Sequence, residues 1–290
     1  MTEPDVMVYL MTGFLDSGKT QFLTFTLKQD YFQIDGKTLL ILCEEGEEEY
    51  DPMEMLKYGV VIEKVEDQED LTAEWLEEMN RKHEPERVVV EYNGMWKVSD
   101  FENMKLPDGW GIEQKITTVD ASTFQMYLTN LKPLFVEMVR GADMVLFNRC
   151  EDIKPLAGYR RSVKVVSPQA EVIFEDEQGE IENIFEDEVP YDLKAPVIEI
   201  AKEDYGIWYV DMMENPDRYK GKVVEYVAKV LKPRTFPAKV FMAGRMAMTC
   251  CADDTSFLGY VCRSAYAPKL KPGQWVKIRA KIRFANVSVY

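Results

Sequence analysis

The sequence predicts an α/β chain in two parts: a three-layer domain built on a parallel-rich sheet, then a small antiparallel β-barrel of OB-like type. Three observations carry this. Short, apolar, β-branched runs recur at 6–11, 38–43, 60–65, 88–92, 116–119, 144–148 and 163–166, the texture of strands buried on both faces. Helical spacings lie between several of them. Beyond residue 197 strand follows strand with no long helix.

The first run leads straight into Gly13-Phe14-Leu15-Asp16-Ser17-Gly18-Lys19-Thr20, followed by an amphipathic stretch over 21–28. Strand, glycine loop and helix in that order make a phosphate-binding P-loop. Gly13 and Gly18 let the backbone turn its N–H groups, with that of Ser17, toward phosphate oxygens, and the helix that starts near Gly18 adds its positive end. Lys19 reaches the outer phosphates and Thr20 offers a hydroxyl to Mg²⁺. Asp16 stands out, because it puts a carboxylate in a loop built for anions; Asp tolerates left-handed backbone, so it is expected to turn outward.

The remaining elements follow in order. Leu71, Trp75, Leu76 and Met79 predict a helix over 71–82, and a longer helical region spans 124–140, interrupted at Pro133. The run Val88-Val89-Val90-Glu91 ends in an acid, with Gly94 three residues on. Glu91 is placed to hold a Mg²⁺-bound water, and the Gly94 N–H to report a γ-phosphate. Another strand ends at Asn148-Arg149-Cys150-Glu151, where a guanine-reading Asn-Lys-x-Asp would be expected. Asn148 suits bracing of the loop, Arg149 stacking on the base, and Glu151 accepting the guanine N1 and N2 protons. The acidic stretch 171–188 has a turn signal at Gln178-Gly179, so 172–174 and 181–185 are expected to form an edge hairpin. A short helix over 205–213 and strands over 223–231, 240–251, 257–262 and 275–289 complete the chain. A five-stranded barrel would then lack its closing strand, which implies a shortened chain or an open barrel.

Composition bounds the function. The 290 residues carry 51 acidic and 35 basic side chains, a net charge of −16, which argues against nucleic acid as the main partner. No apolar run approaches a membrane span and no leader pattern opens the chain, so a soluble, cytoplasmic protein is expected. Five cysteines, two of them adjacent, do not read as a secreted disulfide framework.

Taken together, the P-loop, Glu45-Gly46-Glu47 with Asp51, Glu91-Tyr92-Asn93-Gly94, Thr118-Val119-Asp120-Ala121, Asn148-Arg149-x-Glu151 and Ser167-Pro168-Gln169-Ala170 resemble the CobW-type GTPases, P-loop proteins that include zinc and cobalt metallochaperones. The resemblance covers residues 1–175. It implies GTP and Mg²⁺ as cofactors, slow GTP hydrolysis coupled to metal delivery, and a metal-receiving protein as partner. It also makes the segment 45–51 a switch near Mg²⁺, with Glu45 as a candidate ligand. The family's Cys-x-Cys-Cys metal motif is replaced here by Glu66-Asp67-Gln68-Glu69-Asp70, which lacks the thiolates that select Zn²⁺ or Co²⁺. The lone His83 is expected to be solvated.

From about 197 onward, Asn215-Pro216-Asp217-Arg218-Tyr219-Lys220-Gly221-Lys222 and Thr249-Cys250-Cys251-Ala252-Asp253-Asp254 resemble the C-terminal module of bacterial membrane proteins encoded beside a permease. Cys250, Cys251 and Cys262 form the candidate Zn²⁺ site. The working division is a GTPase domain over 1–190 and a barrel with the Cys-Cys motif over 197–290. A homodimer and a membrane permease stand as further partners. Two rival functions remain: a non-hydrolysing, nucleotide-dependent regulatory module for a membrane transporter, and a P-loop enzyme that prefers adenine.

Overall fold

The computed structural model describes residues 4–153, 156–181, 189–248 and 255–284. The chain divides into two units, one of residues 1–156 and 166–184, the other of 157–165 and 185–290.

The first unit runs β1 (Val6–Thr12), α1 (Lys19–Leu27), β2 (Thr38–Leu42), α2 (Pro52–Leu56), β3 (Val60–Lys64), α3 (Ala73–His83), β4 (Arg87–Glu91), α4 (Val98–Glu102), β5 (Trp110–Asp120), α5 (Phe124–Asn130), α6 (Lys132–Val139) and β6 (Met144–Asn148). After α7 (Leu156–Lys164) come β7 (Glu171–Asp176) and β8 (Gly179–Glu180). The sheet order is β3-β2-β4-β1-β5-β6-β7-β8. Every pairing is parallel except the last. Apolar runs without alternation fit strands covered on both faces: Leu39, Leu40, Ile41, Val88, Val89 and Val90 are fully buried. On one face Leu23 and Leu27 of α1 and Met55 of α2 pack with Met11, Leu40 and Val89.

Local signals account for the helix ends. Thr72 caps α3 by accepting from the Trp75 N–H at 3.1 Å, and Asp51 caps α2 by accepting from Met53 and Glu54. The expected break at Pro133 is present, with α5 and α6 meeting at Leu131. One expected strand is absent. The 163–166 run lies at the end of α7, because Tyr159 and Val163 are one helical turn apart and both buried. The next strand of the sheet is β7, pairing Met144 with Glu171 through Phe147 with Phe174. A tight turn does form at Gln178-Gly179, pairing Glu175 with Glu180 and Asp176 with Gly179, but the expected second arm over 181–185 falls almost wholly outside the described residues; β7 is an inner strand, not an edge.

The second unit contains most of α7, then β9 (Ile198–Glu199), α8 (Tyr205–Glu214), β10 (Val223–Leu231), β11 (Val240–Met248), β12 (Thr255–Arg263) and β13 (Trp275–Lys281). Arg160 of α7 donates to Glu214 of α8 at 2.7 Å. The sheet runs β12-β11-β10-β13, with β9 parallel to β10. An antiparallel meander is therefore present, but among the described residues the sheet is mixed and open, not a closed OB-like barrel. The reason is visible in the register. β11 pairs with only the last three residues of β10, Lys229 to Leu231, and β9 takes the edge beside Val224 and Glu225. Trp208, Tyr205, Tyr226 and Phe241 fill the core between α8 and this sheet.

Candidate functional site

Strand β1 delivers the P-loop and α1 receives it. Gly18 has φ +89°, and a Cβ there would come within 2.6 Å of the Asn148 amide nitrogen, so glycine is required by conformation and by space. Asp16 adopts φ +59° and is exposed. Ser17 is held by its N–H to the Phe14 carbonyl at 3.1 Å and by its hydroxyl against Thr118 Oγ1 at 2.9 Å.

Lys19 is buried, with 3% of its surface exposed. Its ammonium donates to the carbonyls of Gly13 and Phe14, each at 3.0 Å, and to Glu44 Oε2 at 2.5 Å. The other oxygen of Glu44 accepts the Gly94 N–H at 3.2 Å. Gly94 lies against the loop so closely that a Cβ would fall 2.4 Å from the Gly13 carbonyl and 2.8 Å from Phe14 Cα. Strand β4 lies beside β1, pairing Met11 with Glu91, and so carries its C-terminal acid to the start of α1. Thr20 donates to Glu91 Oε1 at 2.8 Å, and Tyr50 donates to Glu91 Oε2 at 2.5 Å. Burial pushes the Glu91 carboxyl above its usual range, opposed by the hydrogen bonds from Tyr50 and Thr20 and by the charge of Lys19. Burial and then the Glu91 charge raise the Tyr50 hydroxyl, and burial followed by Glu91 and Glu44 raises the Cys43 thiol, so both stay protonated.

On the other side of the loop, Asn148 ends β6 and donates to the Ser17 carbonyl at 2.9 Å. Its Oδ1 is buried and has no hydrogen-bond partner among the described residues. Arg149, at φ +54°, donates to the Asp16 carbonyl at 2.9 Å and pairs with Asp120 Oδ2 at 2.5 Å. Glu151 follows on an exposed turn.

The structure therefore brings together Gly13, Ser17, Gly18, Lys19, Thr20, Glu91, Gly94, Asn148 and Arg149. It leaves Glu45 apart: that side chain is 72% exposed and paired with Lys64 at 2.9 Å. His83 is not solvated as expected; its Nε2 meets Glu63 at 2.7 Å with only 14% of the side chain exposed. Cys250 and Cys251 lie outside the described residues. Cys262 is half-buried, with Tyr226 Oη 3.9 Å from its sulfur, and burial raises its thiol. No group of three or more His, Cys, Asp or Glu suited to a metal occurs among the described residues.

Two residues at the site escaped sequence reasoning as individuals. Glu44 belongs to the acidic run Glu44, Glu45, Glu47, Glu48, Glu49 and Asp51, which the sequence offers as a whole for a hard cation without singling it out, and Tyr50 reads as an ordinary aromatic. The usable signal for Glu44 was position: it lies just past the C-terminal end of β2, which neighbours β4.

The residues present fit a nucleotide phosphate chain with a hard cation. Thr20 and Glu91 supply oxygen donors only, which suit Mg²⁺, and the buried, unpartnered Asn148 Oδ1 leaves an acceptor unused beside the loop. The chain matches the family of CobW/HypB/UreG nucleotide-binding domains over residues 7–174. It belongs to that family. Residues 177–289 match a second family, the DUF1980 C-terminal domain. No curated protein matches the chain. Among solved structures, the chain is similar to Zn(II)-bound YjiA GTPase from E. coli, at 18% identity over 91% of this chain and 90% of that one, with a TM-score of 0.46. It is also similar to the hydrogenase maturation factor HypB from Archaeoglobus fulgidus, at 17% identity over 60% of this chain and 83% of that one, with a TM-score of 0.43. Among the described residues, no helix of this CobW/HypB/UreG member is long and apolar enough to cross a membrane.

Proposed function

We propose that this chain binds GTP with Mg²⁺, hydrolyses it slowly, and uses the cycle in metal homeostasis or metal delivery. The observation that carries the reading is the Thr20–Glu91 contact at 2.8 Å beside a buried Lys19 seated on the Gly13 and Phe14 carbonyls. Lys19 would neutralise phosphate charge, Thr20 and Glu91 would hold Mg²⁺ directly or through its water, and Gly94 would donate to the outer phosphate. Bound Mg²⁺ supplies charge neutralisation across the phosphate oxygens. Asn148, which donates to the Ser17 carbonyl, would brace the P-loop, Arg149 would stack on the base, and Glu151 would accept from guanine. The described residues that line this cleft include Gln21 but no histidine, which fits slow turnover.

Metal delivery rests on family membership. A Zn²⁺ role for Cys250, Cys251 and Cys262 rests on the sequence, and burial, which raises the Cys262 thiol, works against thiolate ligation at that residue. The division into a GTPase domain over 1–190 and a Cys-Cys module over 197–290, the cytoplasmic setting, a homodimer and a metal-receiving protein or permease as partner belong to the same reading.

A second reading has its own observation. Asp16, Glu44, Glu47 and Glu48 all line the cleft that holds Lys19 and Thr20, an acidic rim that opposes a polyphosphate and favours a regulatory module with little or no turnover. Steady-state phosphate release by the intact chain, with Mg²⁺ and with EDTA, separates the two. Mg²⁺-dependent release supports the GTPase; saturable binding with no release supports the regulatory module.

A further inference from the structure

We propose that Glu44 is the residue by which this chain discriminates nucleoside triphosphate from diphosphate, acting as a built-in carboxylate at the place of the terminal phosphate. The inference rests on the P-loop reading above and goes beyond it.

The ammonium of Lys19 has three protons. Two are spent on the carbonyls of Gly13 and Phe14, which belong to the loop itself, and the third goes to Glu44. Only the third sits on a partner that can move without dismantling the loop. The second oxygen of Glu44 takes the Gly94 N–H. One carboxylate thus bridges the P-loop cation and the amide at the end of β4, the two donors a terminal phosphate would require. The side chain is nine-tenths buried, so the pairing is a desolvated, charge-assisted one rather than a surface contact. Among the described residues, Glu44 accepts from no amide between Asp16 and Thr20, the stretch that would serve the inner phosphates.

The consequence is selective. A diphosphate can be held by the loop amides with Glu44 still on Lys19 and Gly94. A triphosphate brings a group of the same charge sign to the same donors and must displace Glu44. The Glu44 backbone adjoins the acidic segment that continues through Glu47 and Glu48 to Tyr50 and Asp51, the cap of α2.

The test is equilibrium binding of GDP and of the slowly hydrolysed analogue GTPγS, each with Mg²⁺, to the intact chain and to Glu44→Ala, Glu44→Gln and Glu49→Ala. Glu49 is exposed and does not line the cleft, so Glu49→Ala reports the general effect of removing one negative charge from the same segment. Glu44→Ala is expected to tighten GTPγS relative to GDP by about tenfold, the equivalent of one charge-assisted hydrogen bond. Glu44→Gln should give a smaller shift in the same direction, and Glu49→Ala a shift of less than about twofold. Equal changes for both nucleotides in Glu44→Ala, a loss of GTPγS affinity, or the same shift in Glu49→Ala would overturn the proposal while leaving nucleotide binding intact. Failure of the wild-type chain to bind either nucleotide would overturn the P-loop reading itself, and this inference with it.

Discussion

The two units of this chain both bury polar side chains, and they do so for different ends. In the nucleotide-binding unit, Lys19, Thr20, Glu91 and the Gly94 amide meet one another, Glu44 and Tyr50 along a cleft, with partners a ligand could replace. In the second unit, Asp211 accepts from Tyr219 and Arg218, and Tyr219 meets Tyr191 at 2.7 Å, inside a core built on Trp208 and Tyr226. These partners are side chains of the unit's own core, where the buried Trp208 Nε1 is without a hydrogen-bond partner among the described residues. Charge is also unevenly spread along the chain. Residues 1–188 hold 41 acidic and 18 basic side chains, whereas residues 189–290 hold 10 and 17. The difference teaches that burial of a polar group is not by itself a sign of function; what matters is whether its partners can be exchanged.

The comparison can be broken most severely at Lys19. Lys19→Ala should weaken GTP binding by at least about 100-fold, since it removes the charge-assisted contact at the outer phosphates. Secondary structure should be kept. Fluorescent-nucleotide titration with circular dichroism checks both, and undiminished affinity would remove the site.

Gly94→Ala comes next. A methyl group 2.4 Å from the Gly13 carbonyl must push the loop or the β4 end aside, at a cost of about 1–3 kcal/mol. A melting curve should show lower stability together with weaker nucleotide binding. Wild-type behaviour in both would mean that the loop and Gly94 are not in contact.

Asp211→Asn probes the other side of the comparison. It leaves the Tyr219 hydroxyl and Arg218 with a weaker partner, costing about 1–3 kcal/mol, and nucleotide affinity should not change. A loss of affinity in this variant would show that the second unit's network is not closed.

The smallest effect concerns Asp120. Burial raises its carboxyl, but the hydrogen bonds from Ser122 and Arg149 outweigh this and hold it below its usual value of 3.8. A depressed carboxyl stabilises the fold above the unfolded value and ceases to do so as pH falls through the lower folded value. Acid melts of wild type and Asp120→Asn should therefore converge below pH 3.8 and differ above it. Parallel curves across the whole range would show the pair to be inert.

Much of the first unit was legible because its signals are backbone signals. The glycine spacing in the P-loop, the acid ending β4 and the Asn ending β6 each fix a strand end, and parallel register then brings those ends together. Glu44, Tyr50 and the Arg149–Asp120 pair were not legible as contacts, because they depend on where side chains meet across strands far apart in sequence. The 163–166 run misled because a short β-branched stretch at a helix end has the composition of a strand. The strand-rich C-terminal part was legible from its alternating runs, but the OB-like barrel expected there is not what the described residues form. The open, mixed form of the sheet was hidden, because the two-residue β9 leaves almost no pattern.

The most direct test of the account is an equilibrium titration of the intact chain with GTP in Mg²⁺, with ATP as competitor and EDTA as control. The expected result is one saturable, Mg²⁺-dependent site that prefers GTP by up to about tenfold, as one modest hydrogen-bonded pair to the base would give. Absence of Mg²⁺-dependent nucleotide binding would contradict the account, and equal affinity for the two nucleotides would remove Glu151 from base recognition.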